Sequence, residues 1–112
     1  MKNPKFQVFR SKDKQFYFRL IARNGRIVLA SEGYAARAGC QKGINSVKTN
    51  AGFDERFQRE ENKKGSYYFI LEAKTKEPIG NSQMYTTRQG RDKGIEAVKR
   101  IAPSAPVDDR TR

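Results

Sequence analysis

The chain has 112 residues, of which 24 are Lys or Arg and 12 are Asp or Glu, so its formal net charge is +12 at neutral pH. This length allows one domain, or two small halves that share a core. Such a charge disfavours basic partners and favours phosphate-rich or acidic ones, although it also keeps a small domain in solution.

The residue types present exclude several kinds of site. The chain has no His and a single cysteine, Cys40. It therefore lacks the commonest general base and metal ligand, and one thiol can form neither an intramolecular disulfide nor a zinc-finger-type site. No apolar run approaches membrane-spanning length, and charge interrupts the N-terminal residues before a signal-peptide core. We expect a cytoplasmic, non-catalytic protein without cofactor, metal or membrane contact.

An internal duplication dominates the sequence. Residue i aligns with residue i+51 from Phe6 to Ala51 without a gap, and 17 of these 46 pairs are identical, where ordinary residue usage would give roughly three. We infer two repeats, 5–51 and 56–102, within a single domain over residues 1–102. Residues 103–112 lack periodicity, and we expect them to form a disordered tail.

The first repeat predicts three strands and a helix. Period-2 alternation is clearest over Gln15–Arg23, and a short strand over Lys5–Arg10 precedes it. The Asn-Gly pair at 24–25 favours a tight hairpin, after which a strand returns over Arg26–Ala30. Apolar residues at helical spacing indicate a helix over Ala35–Asn50.

The second repeat follows the same plan with changes. Strands are predicted over Arg56–Glu61 and Tyr67–Lys74, and Pro78 places the third strand at an edge or shortens it. The segment 86–89 (Thr-Thr-Arg-Gln) is a capping-box pattern at the start of the second helix. These β-β-β-α units predict an α+β fold, in which one antiparallel sheet carries two helices on one face, related by a pseudo-two-fold axis.

The first copy has Ser-Glu-Gly-Tyr at 31–34, followed by Ala-Gly, Gly-Ile and Ser-Val-Lys. The second copy keeps Ser82, Tyr85, Gly90, Gly94, Ile95, Val98 and Lys99 but departs at Met84, which stands where Gly33 is. With the Phe-Tyr-Phe-Arg-Leu strand and the Gly-containing hairpin before it, this pattern resembles the YegP-like family of small uncharacterised bacterial proteins. The resemblance covers about Lys5 to Ala102 and implies a tandem ββ(β)α fold, but no function. Single-copy relatives are expected to pair as dimers, so we expect this chain to be a monomer with intramolecular repeat pairing.

The repeated signature places glycines inside both predicted helices, where each costs about 1 kcal/mol relative to alanine. We interpret them as sites of close packing between the two helices. A phosphate site is the weaker alternative, because anions bind at helix N-termini rather than in helix interiors. The signature comprises four glycines and two tyrosines: Gly39, Gly43, Gly90, Gly94, Tyr34 and Tyr85.

Other repeated positions have a structural interpretation. Arg37 and Lys48 flank the apolar stripe of the first helix, and we expect their stems to cover the edge of the core. Lys42 points to solvent, where it is either a solvated surface residue or a contact for an acidic partner. Cys40 occupies a core position, and we interpret it as a small buried apolar residue.

The sheet face opposite the helices is the main candidate surface. Aromatic and basic side chains interleave there, so that bases could stack while cations hold phosphates. The candidate residues are Tyr17, Arg19, Arg23, Tyr68 and Lys74. Their suitability as strand formers explains them equally well, and Ile21 and Ile70 offer an apolar surface for a protein partner.

Charge is distributed unevenly between the repeats. Residues 1–51 carry 11 basic and 2 acidic side chains, a net +9, whereas residues 52–102 carry 11 and 8, a net +3. The leading hypothesis is a small basic binding module that contacts nucleic acid through repeat one and the outer sheet face. The alternative is a protein-interaction module that uses a sheet edge or the Ile21/Ile70 face.

Overall fold

The computed structural model describes residues 3–111, which form an α+β fold of one sheet and two helices. The strands are β1 (Lys5–Arg10), β2 (Phe16–Ile21), β3 (Ile27–Ser31), β4 (Phe57–Glu61), β5 (Tyr67–Glu72), β6 (Pro78–Asn81) and β7 (Val107–Asp109). The helices are α1 (Arg37–Asn50) and α2 (Arg88–Ile101), and a short 3-10 turn covers Asp54–Arg56. Each repeat thus forms the β-β-β-α unit that the duplication predicts.

The sheet order is β4-β5-β6-β3-β2-β1-β7, which is symmetric about its centre apart from β7. The two third strands, β3 and β6, pair antiparallel there and join the repeats. The prediction that Pro78 shortens its strand is confirmed, since β6 has four residues, but β6 is central rather than at an edge. Pro78 is tolerated because it is the first residue of the strand, opposite Glu72 at the end of β5.

The predicted disordered tail is wrong for the described residues after Pro103. Strand β7 pairs parallel to β1, so the sheet is mixed rather than wholly antiparallel. The Phe6 N–H donates to the Pro106 carbonyl at 2.8 Å, and the Arg110 N–H donates to the Val8 carbonyl at 2.8 Å. The tail satisfies backbone groups that an open β1 edge would leave exposed, and it brings the buried Ala105 onto the core.

One core lies between the sheet and the two helices, which pack on the same face. In both repeats the inward side of the strands is aromatic or aliphatic, and each helix contributes one apolar stripe. The largest fully buried side chains are Phe6, Phe18, Phe69, Leu20, Leu29, Ile44, Leu71, Ile95, Val47, Val98 and Cys40. The outer sheet face therefore remains uncovered by any described helix.

Helix α2 begins more firmly than helix α1, as the sequence predicts. The Thr87 hydroxyl accepts the Gly90 N–H at 2.9 Å, whereas Ala36 has no side chain that can cap α1. Because Thr87 rather than Thr86 is the cap, Gln89 is not at the third helical position. The expected capping box is therefore a simple threonine cap.

The central strand pair is asymmetric in side-chain size where the repeats meet. Leu29 of β3 and Gly80 of β6 occupy equivalent places in the two repeats, and they are diagonal neighbours across the seam, since Gly80 is directly opposite Ser31. A Cβ on Gly80 would lie 2.9 Å from the Ala30 carbonyl oxygen and 3.1 Å from the Leu29 Cγ. The seam therefore combines one large and one small residue.

Candidate nucleic-acid interface

The outer face of repeat one carries a contiguous group of aromatic and cationic side chains. Phe9 of β1 is directly opposite Tyr17 of β2, and their rings stack with centroids 5.7 Å apart at 17°. The Arg19 guanidinium carbon lies 4.4 Å from the Phe9 ring centroid, and its Nε donates to Gln7 Oε1 at 2.9 Å. We call Phe9, Tyr17 and Arg19 the aromatic ladder.

Sequence reasoning named Tyr17 and Arg19 but missed Phe9. The alternation of β1 contains the signal, because Phe6 and Val8 face the core and Phe9 must then face outward. Pairing β1 with β2 places Phe9 beside Tyr17 on that face. The contact between Phe9 and Tyr17 therefore follows from the register of the two strands and not from the alternation within either strand alone.

A hydrogen bond fixes the outer end of the ladder. The Tyr17 hydroxyl donates to the Asp13 carboxylate at 2.5 Å. This bond lowers the pKa of Asp13 below its ordinary value and raises the pKa of Tyr17 above its own. Because the hydroxyl is tethered at one end and the ring stacks on Phe9, the orientation of the Tyr17 ring is defined before any ligand arrives.

Repeat two does not reproduce the ladder. Tyr68 occupies the position of Tyr17, but the residue opposite it is Glu60, where repeat one has Phe9. Ile70 replaces Arg19, and Glu72 replaces Ile21. Strands β3 and β6 separate Tyr17 from Tyr68, so the two tyrosines are roughly 14 Å apart or more, three strand spacings.

The other predicted basic contacts lie elsewhere. Arg23 follows the end of β2, after a register shift at Leu20/Ile21, and lines a cleft beside α2. Lys74 is exposed in the β5–β6 hairpin, and Lys42 is exposed on α1, on the far side of the sheet from the ladder. The structure therefore brings Tyr17 and Arg19 together and leaves these three basic residues outside the ladder.

The signature glycines accommodate a tyrosine, not the neighbouring helix. A Cβ on Gly43 would collide with the Tyr34 hydroxyl, and a Cβ on Gly94 with the Tyr85 hydroxyl. At Gly39 and Gly90 a Cβ would lie 3.4 Å from the same rings. The predicted helix–helix contact is therefore wrong as their cause, and each pair of glycines forms a groove for the tyrosine of its own repeat.

The remaining signature residues close the end of each third strand. Tyr34 exchanges two backbone hydrogen bonds with Phe16, at 2.7 and 2.8 Å. The Ser31 hydroxyl accepts the Phe18 N–H at 2.9 Å and donates to the Glu32 carbonyl at 2.9 Å. Repeat two makes the same contacts through Tyr85, Tyr67, Ser82, Phe69 and Gln83. The signature is thus a structural device that connects strand, loop and helix.

The repeated helix cations cover aromatic rings at the core edge, as predicted. Each lies 5.6–5.8 Å from a ring centroid: Arg37 over Phe16, Arg88 over Tyr67, Lys48 over Phe6 and Lys99 over Phe57. The stems therefore bury apolar surface while the charged heads stay near water. These four cations have a packing role that needs no ligand.

Cys40 is fully buried, and burial, with a smaller effect from Asp109, raises the pKa of its thiol to about 11. Such a thiol remains protonated at neutral pH and is a poor nucleophile. Within residues 3–111 no group of three or more His, Cys, Asp or Glu side chains could hold a metal ion. None of the described helices is both long and apolar enough to cross a bilayer.

Two β-β-β-α units that share one sheet define an internally duplicated α+β protein. The family model described as "Domain of unknown function (DUF1508)" matches the chain twice, over residues 11–58 and 62–109. The chain belongs to this family, and the relatives described below carry the name UPF0339.

The relatives match over nearly their whole length. The chain is 44% identical over 102 residues to the "UPF0339 protein in ptx operon 5'region" of Stutzerimonas stutzeri, which covers 91% of this chain and 92% of the relative. It is 42% identical over 106 residues to the UPF0339 protein YegP of Escherichia coli K12, which covers 95% and 96%.

Solved structures show the same fold. The solution NMR structure of YegP from E. coli, described as a protein of unknown function, superposes with a TM-score of 0.92 at 40% identity and covers 99% of this chain and 96% of that one. The solution NMR structure of a UPF0339 protein from Shewanella oneidensis gives 0.92 at 35% identity, with 98% and 93% covered. The predicted family and its duplicated α+β fold are therefore confirmed.

Proposed function

We propose that the chain is a non-catalytic, cytoplasmic module that binds single-stranded nucleic acid through the outer face of repeat one. The observation that carries this proposal is the aromatic ladder of Phe9, Tyr17 and Arg19 on an uncovered sheet face. Stacking of one base on an aromatic side chain contributes about 1–3 kcal/mol and tolerates any sequence. The ladder offers two stacked rings and one guanidinium within a single strand pair.

The charge around the ladder favours a phosphate-rich strand. Arg19 uses its Nε for Gln7, so its remaining N–H groups can donate to a phosphate. Lys5 lies on the same face, two residues from Gln7 along β1, although it forms an ion pair with Asp108 at 3.0 Å. Repeat one carries the larger share of the net charge, which supports long-range attraction of a polyanion.

The chemistry of the chain supports a binding role over catalysis. It has no histidine, and its one thiol is buried with a raised pKa. Hydrogen bonds from neighbouring side chains lower the pKa of three carboxyl groups, those of Asp13, Asp54 and Asp108. These groups are therefore poor proton donors near neutral pH. A general acid or base would need a pKa nearer 7.

The protein-interaction alternative has less support. The cross-strand pairing that starts at Ile70 continues through Asn81 and Ala30 to Arg19. Ile21 lies two residues further along β2, opposite Ile27. The two isoleucines therefore form no joint patch. The β4 edge is exposed but carries Arg59, Glu60 and Glu61, and charged edge strands disfavour strand addition. Strand β7 already covers the β1 edge.

Fluorescence anisotropy with labelled single-stranded 12-mers of DNA and RNA, and with a duplex, tests the proposal. Tyr17→Ala is expected to weaken single-strand binding roughly tenfold at near-physiological salt, since it removes one stacking ring. Tyr68→Ala is the matched control, because the equivalent tyrosine faces Glu60 and should leave affinity unchanged.

Equal losses in the two variants would contradict an interface on repeat one. Binding that disappears at physiological salt and ignores both tyrosines would show that the net charge alone attracts the probe. Preference for the duplex would also overturn the proposal, because paired bases cannot stack on the ladder.

A further inference from the structure

A cleft lies between the β2–β3 hairpin of repeat one and helix α2 of repeat two, on the helix side of the sheet. Its volume is about 490 Å³. A second cavity of about 610 Å³ continues it towards the end of α2 and shares the wall residues Ala22, Arg23 and Arg100. Both repeats are needed to form this cleft, because one wall comes from each.

The side chains that line the cleft are strongly basic. Arg23 and Arg26 come from the hairpin, and Lys93 and Arg100 come from α2, seven residues apart along the helix. Among the described residues that line the two cavities there is no Asp or Glu. We call these four residues the cationic cleft.

The three arginines of the cleft differ from the other arginines within residues 3–111. Each of those others forms an ion pair or covers an aromatic ring, whereas the cleft arginines do neither within the described part of the chain. Lys93 resembles several exposed lysines among the described residues in having neither contact. Grouping unpaired like charges is unfavourable for folding, and a concave wall of one sign concentrates the field. Core packing does not require this arrangement.

The floor of the cleft provides polar groups. The Tyr85 ring lies against Gly90 and Gly94, whose missing side chains leave room for it. Burial raises the pKa of the Tyr85 hydroxyl, while the positive charge of Arg26, which lines the same cleft, acts to lower it. The side chains of Asn24 and Gln83 complete the lining.

The equivalent positions on the other side of the pseudo-two-fold axis are close to neutral. Lys74 and Glu77 replace Arg23 and Arg26, while Lys42 and Thr49 replace Lys93 and Arg100. Glu32 stands where Gln83 does. The accumulation of cations therefore belongs to one of two otherwise related places in the same fold.

We propose that the cationic cleft is a binding site for a chain of two or more linked phosphate groups. Four separate cations along an elongated cleft match several linked anionic groups better than one compact anion, and guanidinium groups bind phosphate oxygens in bidentate fashion. This site lies on the opposite side of the sheet from the aromatic ladder and does not depend on it.

Calorimetric titration with inorganic tripolyphosphate tests the site, with sulfate at equal ionic strength as the comparison anion. Saturable tripolyphosphate binding is expected, and Arg26→Gln/Lys93→Gln should weaken it by about 10- to 100-fold, since it removes two charged hydrogen-bond donors. The matched control is Lys42→Gln/Lys74→Gln, which removes the same charge from the related positions and should bind like the wild type.

The proposal fails if sulfate binds as tightly as tripolyphosphate, or if the two double variants lose affinity equally. Amide chemical shifts in an NMR titration provide a second measurement, and changes should concentrate in residues 22–28 and 90–100. Tyr17→Ala should leave tripolyphosphate binding unchanged, so a failure of the outer-face proposal is distinguishable from a failure of this one.

Competition identifies the source of the phosphates. If a single-stranded DNA 12-mer displaces tripolyphosphate from the wild type, the cleft binds a nucleic-acid backbone. The same 12-mer should then displace none of the weak tripolyphosphate binding that remains in Arg26→Gln/Lys93→Gln. Simultaneous binding of both probes would assign it to a free oligophosphate.

Discussion

The two repeats share most of their inward residues and have diverged more on the outer sheet face. Phe18 and Leu20 of repeat one recur as Phe69 and Leu71, and all four are buried in the same core. On the outer face the pairs have diverged: Phe9 corresponds to Glu60, Arg19 to Ile70 and Ile21 to Glu72. Because the fold constrains one face and not the other, the divergent face is where a difference in function can arise.

The tail distinguishes the repeats most strongly, since β7 covers the edge of repeat one and no described strand covers β4. Ending the chain after Pro103 removes the buried Ala105 and the hydrogen bonds at Phe6 and Val8. We expect a loss of about 2–4 kcal/mol in the free energy of unfolding, measured by urea denaturation.

Asp108→Ala is the control for this truncation. It removes only the ion pairs of Asp108 with Lys5 and Arg110 and leaves strand β7 in place, so it should cost much less stability than the truncation. If the truncated chain unfolds at the wild-type urea concentration, β7 contributes nothing to stability and the two edges are equivalent.

The tyrosine grooves are the feature that the repeats share most closely, so equivalent substitutions should cost the same. Gly43→Ala and Gly94→Ala should each destabilise the protein by about 1–3 kcal/mol, because the new methyl group displaces the tyrosine hydroxyl despite a better helix propensity. Thermal or urea unfolding of both variants measures this.

Gly39→Ala provides the contrast within one helix. Its Cβ would meet Tyr34 at an ordinary contact distance of 3.4 Å, so the variant should be within about 1 kcal/mol of the wild type. Adding Tyr34→Phe to Gly43→Ala should restore part of the lost stability by removing the colliding hydroxyl. Stabilisation by Gly43→Ala alone would refute the groove.

Asp54→Asn gives the segment before repeat two the residue type that stands 51 positions earlier, at Asn3 before repeat one. Hydrogen bonds from Arg59 and Lys99 lower the pKa of Asp54 to about 2. The pairs are exposed, so the substitution should cost only about 0.2–1 kcal/mol at pH 7. Because the folded pKa is below the ordinary 3.8, this contribution is complete above about pH 4 and fades as the pH falls towards 2.

Urea denaturation of Asp54→Asn and wild type at pH 7, pH 3 and pH 2 measures the effect. The stability difference should shrink steadily across these conditions. A difference that stays constant down to pH 2 would show that the ion pairs of Asp54 do not stabilise the fold.

The duplication made most of the fold predictable, because each element could be checked against its copy. Strand β1 was predicted with its observed ends, and both helices were predicted on one face of the sheet. The tail was missed because β7 has three residues without periodicity, and a parallel pairing with β1 about one hundred residues away leaves no local signal.

The candidate sites were harder to predict, since they depend on neighbours that are distant in sequence. The ladder needs the register of β1 against β2, which places Phe9 beside Tyr17. The cationic cleft needs the hairpin of one repeat to approach the helix of the other, which depends on the pairing of β3 with β6 and on the packing of α2 against β3. The glycines were correctly predicted to be sites of close packing. Helical spacing could not show that the group packed against them is a tyrosine on the adjoining loop.

The unequal seam at Leu29 and Gly80 has a consequence for assembly. Two first repeats paired in this register would place leucine against leucine where this chain has Leu29 against Gly80, and two second repeats would place glycine against glycine. Each half is therefore complementary to the other half rather than to itself. We expect separately expressed halves to form a mixed dimer in preference to either homodimer.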